Sequence, residues 1–346
     1  MINNIEFHIN TINKEIQKQN LDLSNLTIIT EAASGPFLYT PIIAAIANAK
    51  AVYSISKNSK YGLFEDIKNK INEIQQIAGI ESNQIIVTDR HEAPFESADI
   101  ITNLGFVRPL DRNIIKRLKK TAVIPLMFES WEYRERDIDL KACRDYDIPV
   151  LGTNEDHPSI DLFRYSGLLA IKLLIESNID FFSRKINIIS NNKFGIVINE
   201  ALNKLGAKSK ILSNYSNPNI STDLCDEIFL TADNITANTL IGSEGEFSFF
   251  NNGKNISGNI FIQFAGKVEI DYIQNNGGLI YPNIELQPQN MVETLAGLGT
   301  FAVVKLHTAG LRVGELMHKW KIDGKDLNKI LFDLPKEFRI CQTLNY

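Results

Sequence analysis

Short apolar runs alternate with apolar residues spaced at helical intervals through the first half of the chain. The β-branched segments Leu26–Thr30, Ala51–Ser56, Gln84–Thr88, Asp99–Asn103, Ala122–Met127 and Pro149–Gly152 predict strands. Helical patterns separate most of them, at Pro41–Ala49, Leu63–Ala78 and Arg112–Lys119. Such alternation predicts a mostly parallel sheet covered on both faces. A polar turn, Asn154–Asp156, and then His157–Pro158 lead into the apolar stretch Ile160–Ser177. That stretch predicts a long, largely buried helix, capped by Ser159 or Asp156 and with His157 near its start.

The second half repeats the arrangement. Strands are predicted at Lys185–Ser190, Lys210–Ser213, Glu227–Thr231, Asn259–Phe264 and Leu279–Tyr281, and a long apolar helix from Met291 to His318. Gly297, Gly299, Gly310 and Gly314 interrupt that helix pattern but permit close packing. The fold class is α/β: two Rossmann-like, doubly wound parallel-sheet domains joined by two long inter-domain helices. Residues 1–156 with 319–346 form a flavodoxin- or Rossmann-like domain on the substrate side. Residues 157–318 form a nucleotide-binding-type domain with its linker helices.

Lys185–Ala207 is the segment with most to say. An apolar strand, a sharp polar turn and an amphipathic helix open a dinucleotide-binding fold, whose fingerprint is G-x-G-x-x-G. Here the six positions read Ser190, Asn191, Asn192, Lys193, Phe194 and Gly195. Only the third glycine, the one that lets helix pack on strand, remains. Asn192 can take the left-handed backbone conformation of a lost glycine, and Ser190 can hydrogen-bond a phosphate. NAD or NADP is therefore the candidate cofactor, with Phe194 or Tyr215 available to plug the turn if none binds.

Composition narrows the classes. At 346 residues two domains are expected, and a net charge of −5 offers no footprint for nucleic acid or an acidic membrane. The lysine-rich face of Arg112–Lys120 reads as solvated. Cys143, Cys225 and Cys341 are scattered and form no C-x-x-C, so neither a zinc site nor a disulfide framework is signalled, and no metal is expected. The amino-terminal segment lacks the apolar core of a secretory signal, and no run approaches the roughly 20 apolar residues of a membrane span. A cytoplasmic location follows as the expectation.

The order of elements resembles the D-2-hydroxyacid dehydrogenase family. The likeness begins at Asp139–Asn154, similar to that family's D-L-x-A-x5-I-P-V-x-N-T passage, and runs through Ser190–Gly195 in the place of the glycine fingerprint. Asp226–Gly242, Ile260–Ala265 and Tyr281–Ile284 resemble the stretches that follow, so the likeness covers about residues 139–318. It implies a cleft between two domains, a nicotinamide cofactor, a small acidic or polar substrate and a homodimer. The departures are as specific. The family's proton-exchanging histidine is replaced by Asn283, whose amide does not titrate near neutrality, and the carboxylate-binding arginine by Gly266–Lys267. Lys267 retains a point charge for an anion. The family's glutamate has no evident counterpart. After the second strand, Ser213–Asn214–Tyr215 stands where an acidic ribose ligand is expected. Ser213, Asn214 and Thr231 are the remaining candidate cofactor contacts.

Four loops after strands of the first half carry the other candidate chemistry. Glu31–Pro36 offers Ser34 and Gly35 at a helix start suited to an anion; taken alone it resembles the T-G-A-S-G turn of short-chain dehydrogenases, with no support downstream. Asn103–Pro109 offers Asn103 and a carboxylate clamp in Arg108. Phe128–Arg134 concentrates Glu129, Trp131, Glu132 and Arg134, aromatic walls with convergent charges. Asn154–Pro158 offers His157, the best placed of the five histidines for acid–base work. His307 reads instead as a buried, hydrogen-bonded residue of an apolar helix.

Three functions remain open. One is an NAD(P)-dependent oxidoreductase-like enzyme with non-standard catalytic residues Glu129, Glu132, His157 and Arg108. The second is a cofactor-independent transferase, lyase or isomerase on the same scaffold. The third is a non-catalytic binding or subunit protein with a decayed cofactor site.

Overall fold

Most apolar runs become strands where the pattern placed them, and the chain alternates strand and helix from near its start. The computed structural model describes residues 5–216, 226–253 and 255–344; Cys225 lies outside them. In chain order, α1 (Ile5–Gln19) precedes β1 (Thr27–Glu31), α2 (Tyr39–Ile46), β2 (Ala51–Ile55), α3 (Phe64–Ala78), β3 (Ile85–Thr88) and β4 (Ile100–Ile101). Then come α4 (Arg112–Ile115), β5 (Ile124–Pro125), α5 (Leu140–Asp145), β6 (Val150–Thr153) and α6 (Tyr165–Glu176). Next are β7 (Lys185–Ile189), α7 (Lys193–Lys204), β8 (Lys208–Leu212), β9 (Ile228–Ala232), β10 (Thr239–Ile241), β11 (Ile260–Ala265) and β12 (Lys267–Val268). The chain closes with α8 (Ile270–Asn275), β13 (Leu279–Tyr281), α9 (Thr300–Ile322), α10 (Leu327–Phe332), α11 (Leu334–Glu337) and β14 (Cys341–Gln342).

These elements form two compact units. Unit 1 takes the chain up to Leu162 and again from Gly299 onward; unit 2 is Phe163–Leu298. The return to unit 1 falls at the start of α9, which packs on α1 and α2 and against β4, β5 and β6.

In unit 1, β3-β2-β1-β4 form a parallel sheet. β5 and β6 pair in parallel, with β14 antiparallel on the edge of β6. The bridge Ile100–Val123 joins the two sheets, so the strands follow one another as 3-2-1-4-5-6. This is the dinucleotide-fold order, and its reversal of direction lies between β1 and β4. β1 reads Thr-Ile-Ile-Thr-Glu with four of five residues buried, as a parallel strand covered on both faces requires. α3 buries Ile67, Ile71 and Ile74, one turn apart, and ends at Gly79 with φ +67. α9 lies so close to β4 and β5 that a Cβ at Gly310 would meet Met127 Sδ at 2.7 Å, and one at Gly314 would meet Ile100 Cγ2 at 2.9 Å.

Unit 2 is a five-stranded parallel sheet, β13-β11-β9-β7-β8, whose direction reverses between β7 and β9. Alternation along β11 divides its side chains between two cores. Ile260, Ile262 and Phe264 join Leu169, Leu173, Ile198 and Leu202 on one face. Phe261 joins Phe229, Phe247 and Phe250 on the other, where Phe229 meets Phe250 edge to face at 4.8 Å.

Both long helices are shorter than the apolar pattern predicts. Asp161 has φ +47, which a right-handed helix cannot continue, so α6 begins at Tyr165 with Arg164 at its cap rather than Ser159 or Asp156. It also keeps an exposed face through Leu168 and Ile175. Gly299, at φ +111, likewise delays α9 to Thr300. The pattern at Arg112–Lys119 yields only the single turn α4, capped by the Asp111 carboxylate.

Candidate functional site

The carboxyl ends of β1, β4 and β5 bring acids and arginines together in unit 1. Glu31, the last residue of β1, is 6% exposed and accepts the Phe106 N–H at 2.9 Å. Gly105 lets that loop close over it, since a Cβ there would lie 3.3 Å from Glu31 Oε2. Burial pushes the Glu31 carboxyl up, against the pull of the Phe106 and Gly105 N–H groups and the Arg108 charge. Ser34 and Gly35 follow in a 3-10 turn, with Ser34 extended and making no side-chain cap, and with open space around the Cβ position of Gly35.

Asn103 and Arg108 leave β4. Asn103 is 1% exposed and accepts the Met127 N–H at 2.9 Å, so it ties the β4 loop to the β5 loop. Arg108 does not present an empty fork. Its Nη1 lies 2.5 Å from Asp137 Oδ2, and a resident carboxylate thus takes one edge of the guanidinium. Its charge still acts on both Glu31 and Glu132.

The loop after β5 separates its two acids by role. Glu129 is 5% exposed, accepts Trp131 Nε1 at 2.5 Å and Gln342 Nε2 at 3.3 Å, and thereby holds β14 to the loop. Glu132 closes the 3-10 turn Ser130–Glu132 and is half-buried. Desolvation, reinforced by the negative charge of Glu129, pushes its carboxyl up to about 7, while Arg134 and Arg108 draw it down. Arg134 and Trp131 are exposed beside it in sequence. A carboxyl near 7 can both take and give a proton at neutral pH.

His157 stands elsewhere. It lies in the turn before α6 rather than at a helix start, and burial, not a helix dipole, lowers its pKa. Its Nδ1 is 2.7 Å from Ser159 Oγ, which donates to Gln19 of α1. Two further histidines of unit 1, both in α9, have structural places. Burial pushes His307 down to about 3, with Nδ1 2.7 Å from Thr40 Oγ1. His318, without evident company in the sequence, lies 3.1 Å from Asp99.

In unit 2 the turn after β7 is closed by its own side chains. Ser190 is 1% exposed; its Oγ accepts the N–H of Gly195 at 3.1 Å and of Asn192 at 3.3 Å, and donates to the Ala232 carbonyl at 2.8 Å. Asn192 is extended at φ −134, not left-handed, because its side chain caps α7 by accepting the Phe194 N–H at 2.9 Å. Its amide nitrogen donates to Asn234 at 2.6 Å. The N–H groups of Asn192, Phe194 and Gly195 are therefore already engaged. Gly195 has the packing role expected of the third glycine, for a Cβ there would meet Ser190 Cβ at 2.6 Å.

Phe194 does not plug the turn. It enters the core, stacked on Phe163 at 4.9 Å. Tyr215 instead bonds to the Asp233 carboxylate just past β9, and Asp233 also holds the Ile235 N–H at 2.8 Å. Ser213 and Asn214 are exposed after β8, while Thr231 is buried within β9. Lys267 lies half-buried in β12, and Asn283 is exposed beyond β13.

Glu31 and Asp233 are site-shaping acids that motif reasoning passes over. Each leaves the carboxyl end of a buried parallel strand beside a point of strand-order reversal, and that position was their only signal. Among the described residues, no group of three or more His, Cys, Asp or Glu is placed to hold a metal ion, and no helix is long and apolar enough to cross a membrane.

No protein-family model matches the sequence, and no curated protein matches it. Solved structures do. A dipicolinate synthase subunit from Bacillus halodurans is similar at 10% identity and a TM-score of 0.51, over 86% of this chain and 98% of that one. The likeness is one of fold. The pyruvate reductase of Chlamydomonas reinhardtii follows at 11% identity and a TM-score of 0.48, over 87% of this chain and 98% of that one. A D-2-hydroxyisocaproate dehydrogenase follows at 12% and 0.47, over 87% and 98%.

Proposed function

We propose that the chain is an oxidoreductase-like enzyme acting on a small acidic or polar metabolite, with its acid–base chemistry in unit 1. Glu132 exchanges the proton, and the positive charges of Arg108 and Arg134 attract the substrate's anionic group. The observation that carries this reading is the gathering of Glu31, Arg108, Glu129 and Glu132 at strand carboxyl ends beside the reversal of strand order, where open α/β sheets bind their ligands. Glu129 and Asp137 serve it by fixing the loop and the guanidinium.

A nicotinamide nucleotide, NAD or NADP, belongs to this reading at Ser190–Gly195 of unit 2, supported by the strand–turn–helix path and by Gly195. Such a group supplies or accepts the hydride. The backbone path fits it, but the hydrogen bonds do not in their present form: a pyrophosphate gains the N–H groups only by displacing the Ser190 hydroxyl and the Asn192 amide. That observation favours a second reading, cofactor-independent transferase, lyase or isomerase chemistry centred on the same Glu132. Titration calorimetry of the purified protein with NAD, NADH, NADP and NADPH separates the two. Saturable binding of one form supports hydride transfer, and binding of none removes it.

A further inference from the structure

Unit 1 also holds a cavity of about 430 Å3, none of whose lining residues belongs to the Glu31–Arg108–Glu132 cluster. It lies among the end of α1, the His157–Ser159 turn, α9 and the segment from α11 to Ile340. Its volume falls within the roughly 300–1,000 Å3 of small-molecule sites.

The floor is apolar on one side and polar on the other. Leu316 and Ile340 are buried, and Phe338 is half-buried. Gln19, 5% exposed, is locked by donating to the Ser159 carbonyl at 3.1 Å and accepting from the Ser159 hydroxyl at 2.8 Å. The carbonyls of Ile16 and Gln17 at the end of α1 are already taken by backbone N–H groups. Around this floor stand Lys18, Arg312, Lys336 and Arg339, with Glu337 the one acid in the lining. Arg312 is paired with Glu315 at 2.5 Å and Lys336 with Asp333 at 2.8 Å. Among the described residues, no ion pair engages Lys18 or Arg339. With Arg312 and Lys336 already paired, Lys18 and Arg339 are the two cations at this hollow left for an anion, against the single carboxylate of Glu337.

We propose that this cavity binds a small organic anion, a phosphate or carboxylate attached to an apolar group. The rim cations neutralise its charge, and Phe338, Leu316 and Ile340 take its apolar part. The site is independent of the chemistry assigned to Glu132.

Titration calorimetry of the full chain with phenyl phosphate, benzoate and inorganic phosphate tests this. Saturable binding of phenyl phosphate or benzoate is expected, at least about tenfold tighter than inorganic phosphate, and the better of the two identifies the anionic group. The double variant Lys18→Glu/Arg339→Glu changes exposed side chains only, and is expected to weaken binding at least about tenfold with an unchanged melting temperature. Phe338→Ala is expected to remove the preference over inorganic phosphate. Arg108→Ala, which damages the proposed catalytic cluster, is expected to leave this affinity unchanged. Absence of saturable binding with all three probes, or equal affinity in the double variant, overturns the proposal.

Discussion

Gln342, in the last strand, grips the loop after β5 from both sides of its amide: its nitrogen donates to Glu129 Oε1 at 3.3 Å and its oxygen accepts the Ser130 N–H at 2.9 Å. Gly152 of β6 lets that loop settle, since a Cβ there would lie 2.7 Å from Ser130 N. The fixed Glu129 charge is what its neighbour Glu132 feels.

Glu129→Gln should therefore lower the pKa of Glu132 from about 7 toward its ordinary 4.5, because the repulsion that disfavours its charged form is gone. If activity depends on Glu132, the alkaline or acid limb of its pH–rate profile that lies near 7 moves down with it. A profile unchanged by the substitution would separate Glu132 from the reaction.

The same shift has a stability consequence. A carboxyl raised in the folded state binds its proton there more tightly than in the unfolded chain, so stability falls as pH rises from about 4.5 to about 7. Denaturant titrations across that window should show the slope, and Glu132→Gln should flatten it.

Asp99 predicts the opposite sign at lower pH. Burial opposes its charge, but hydrogen bonds from His318, Lys119 and the Thr27 N–H hold its pKa at about 2. The stabilisation is complete above about 3.8 and fades as pH falls through 2. A shift of this size corresponds to roughly 2 kcal/mol. Asp99→Asn should cost a similar amount at neutral pH and weaken the acid dependence, measured by urea unfolding.

At the closed turn, Gly195→Ala should destabilise by about 1–3 kcal/mol through the contact with Ser190. Ser190→Gly alone should cost about 1 kcal/mol in lost hydrogen bonds. Combined, the two should be less harmful than their sum, since the clash needs both side chains. Strict additivity in a double-mutant cycle would place the strain elsewhere.

The architecture was legible because parallel strands announce themselves. Ile186, Ile188 and Ile189 lie buried in β7 at the place their spacing indicates. Helix limits were not, because Asp161 and Gly299 delay the starts of α6 and α9 through backbone torsion, which apolar periodicity does not register. In the candidate site, residue type and loop position brought Arg108, Glu129 and Glu132 to notice. Their division of labour depends on partners distant in sequence: Gln342 lies 213 residues from Glu129, and Asp137 reaches Arg108 across 29. Ser190 shows the reverse difficulty. A hydroxyl at a phosphate turn looks like a ligand donor until the structure reveals that it is spent on the turn's own Asn192 and Gly195 N–H groups and the Ala232 carbonyl.

The division of the chain between its two units bears on synthesis. Unit 2 is one continuous stretch, Phe163–Leu298, complete while the ribosome is still adding residues. Unit 1 waits for α9 to cover β4, β5 and β6, and for β14 to seal the edge of β6. Until then a nascent chain carries a finished middle and an uncovered beginning, with the apolar face of β4–β6 and the free edge of β6 open to wrong partners. Chaperone capture during translation should therefore fall on unit 1, and release should follow the emergence of the last strand.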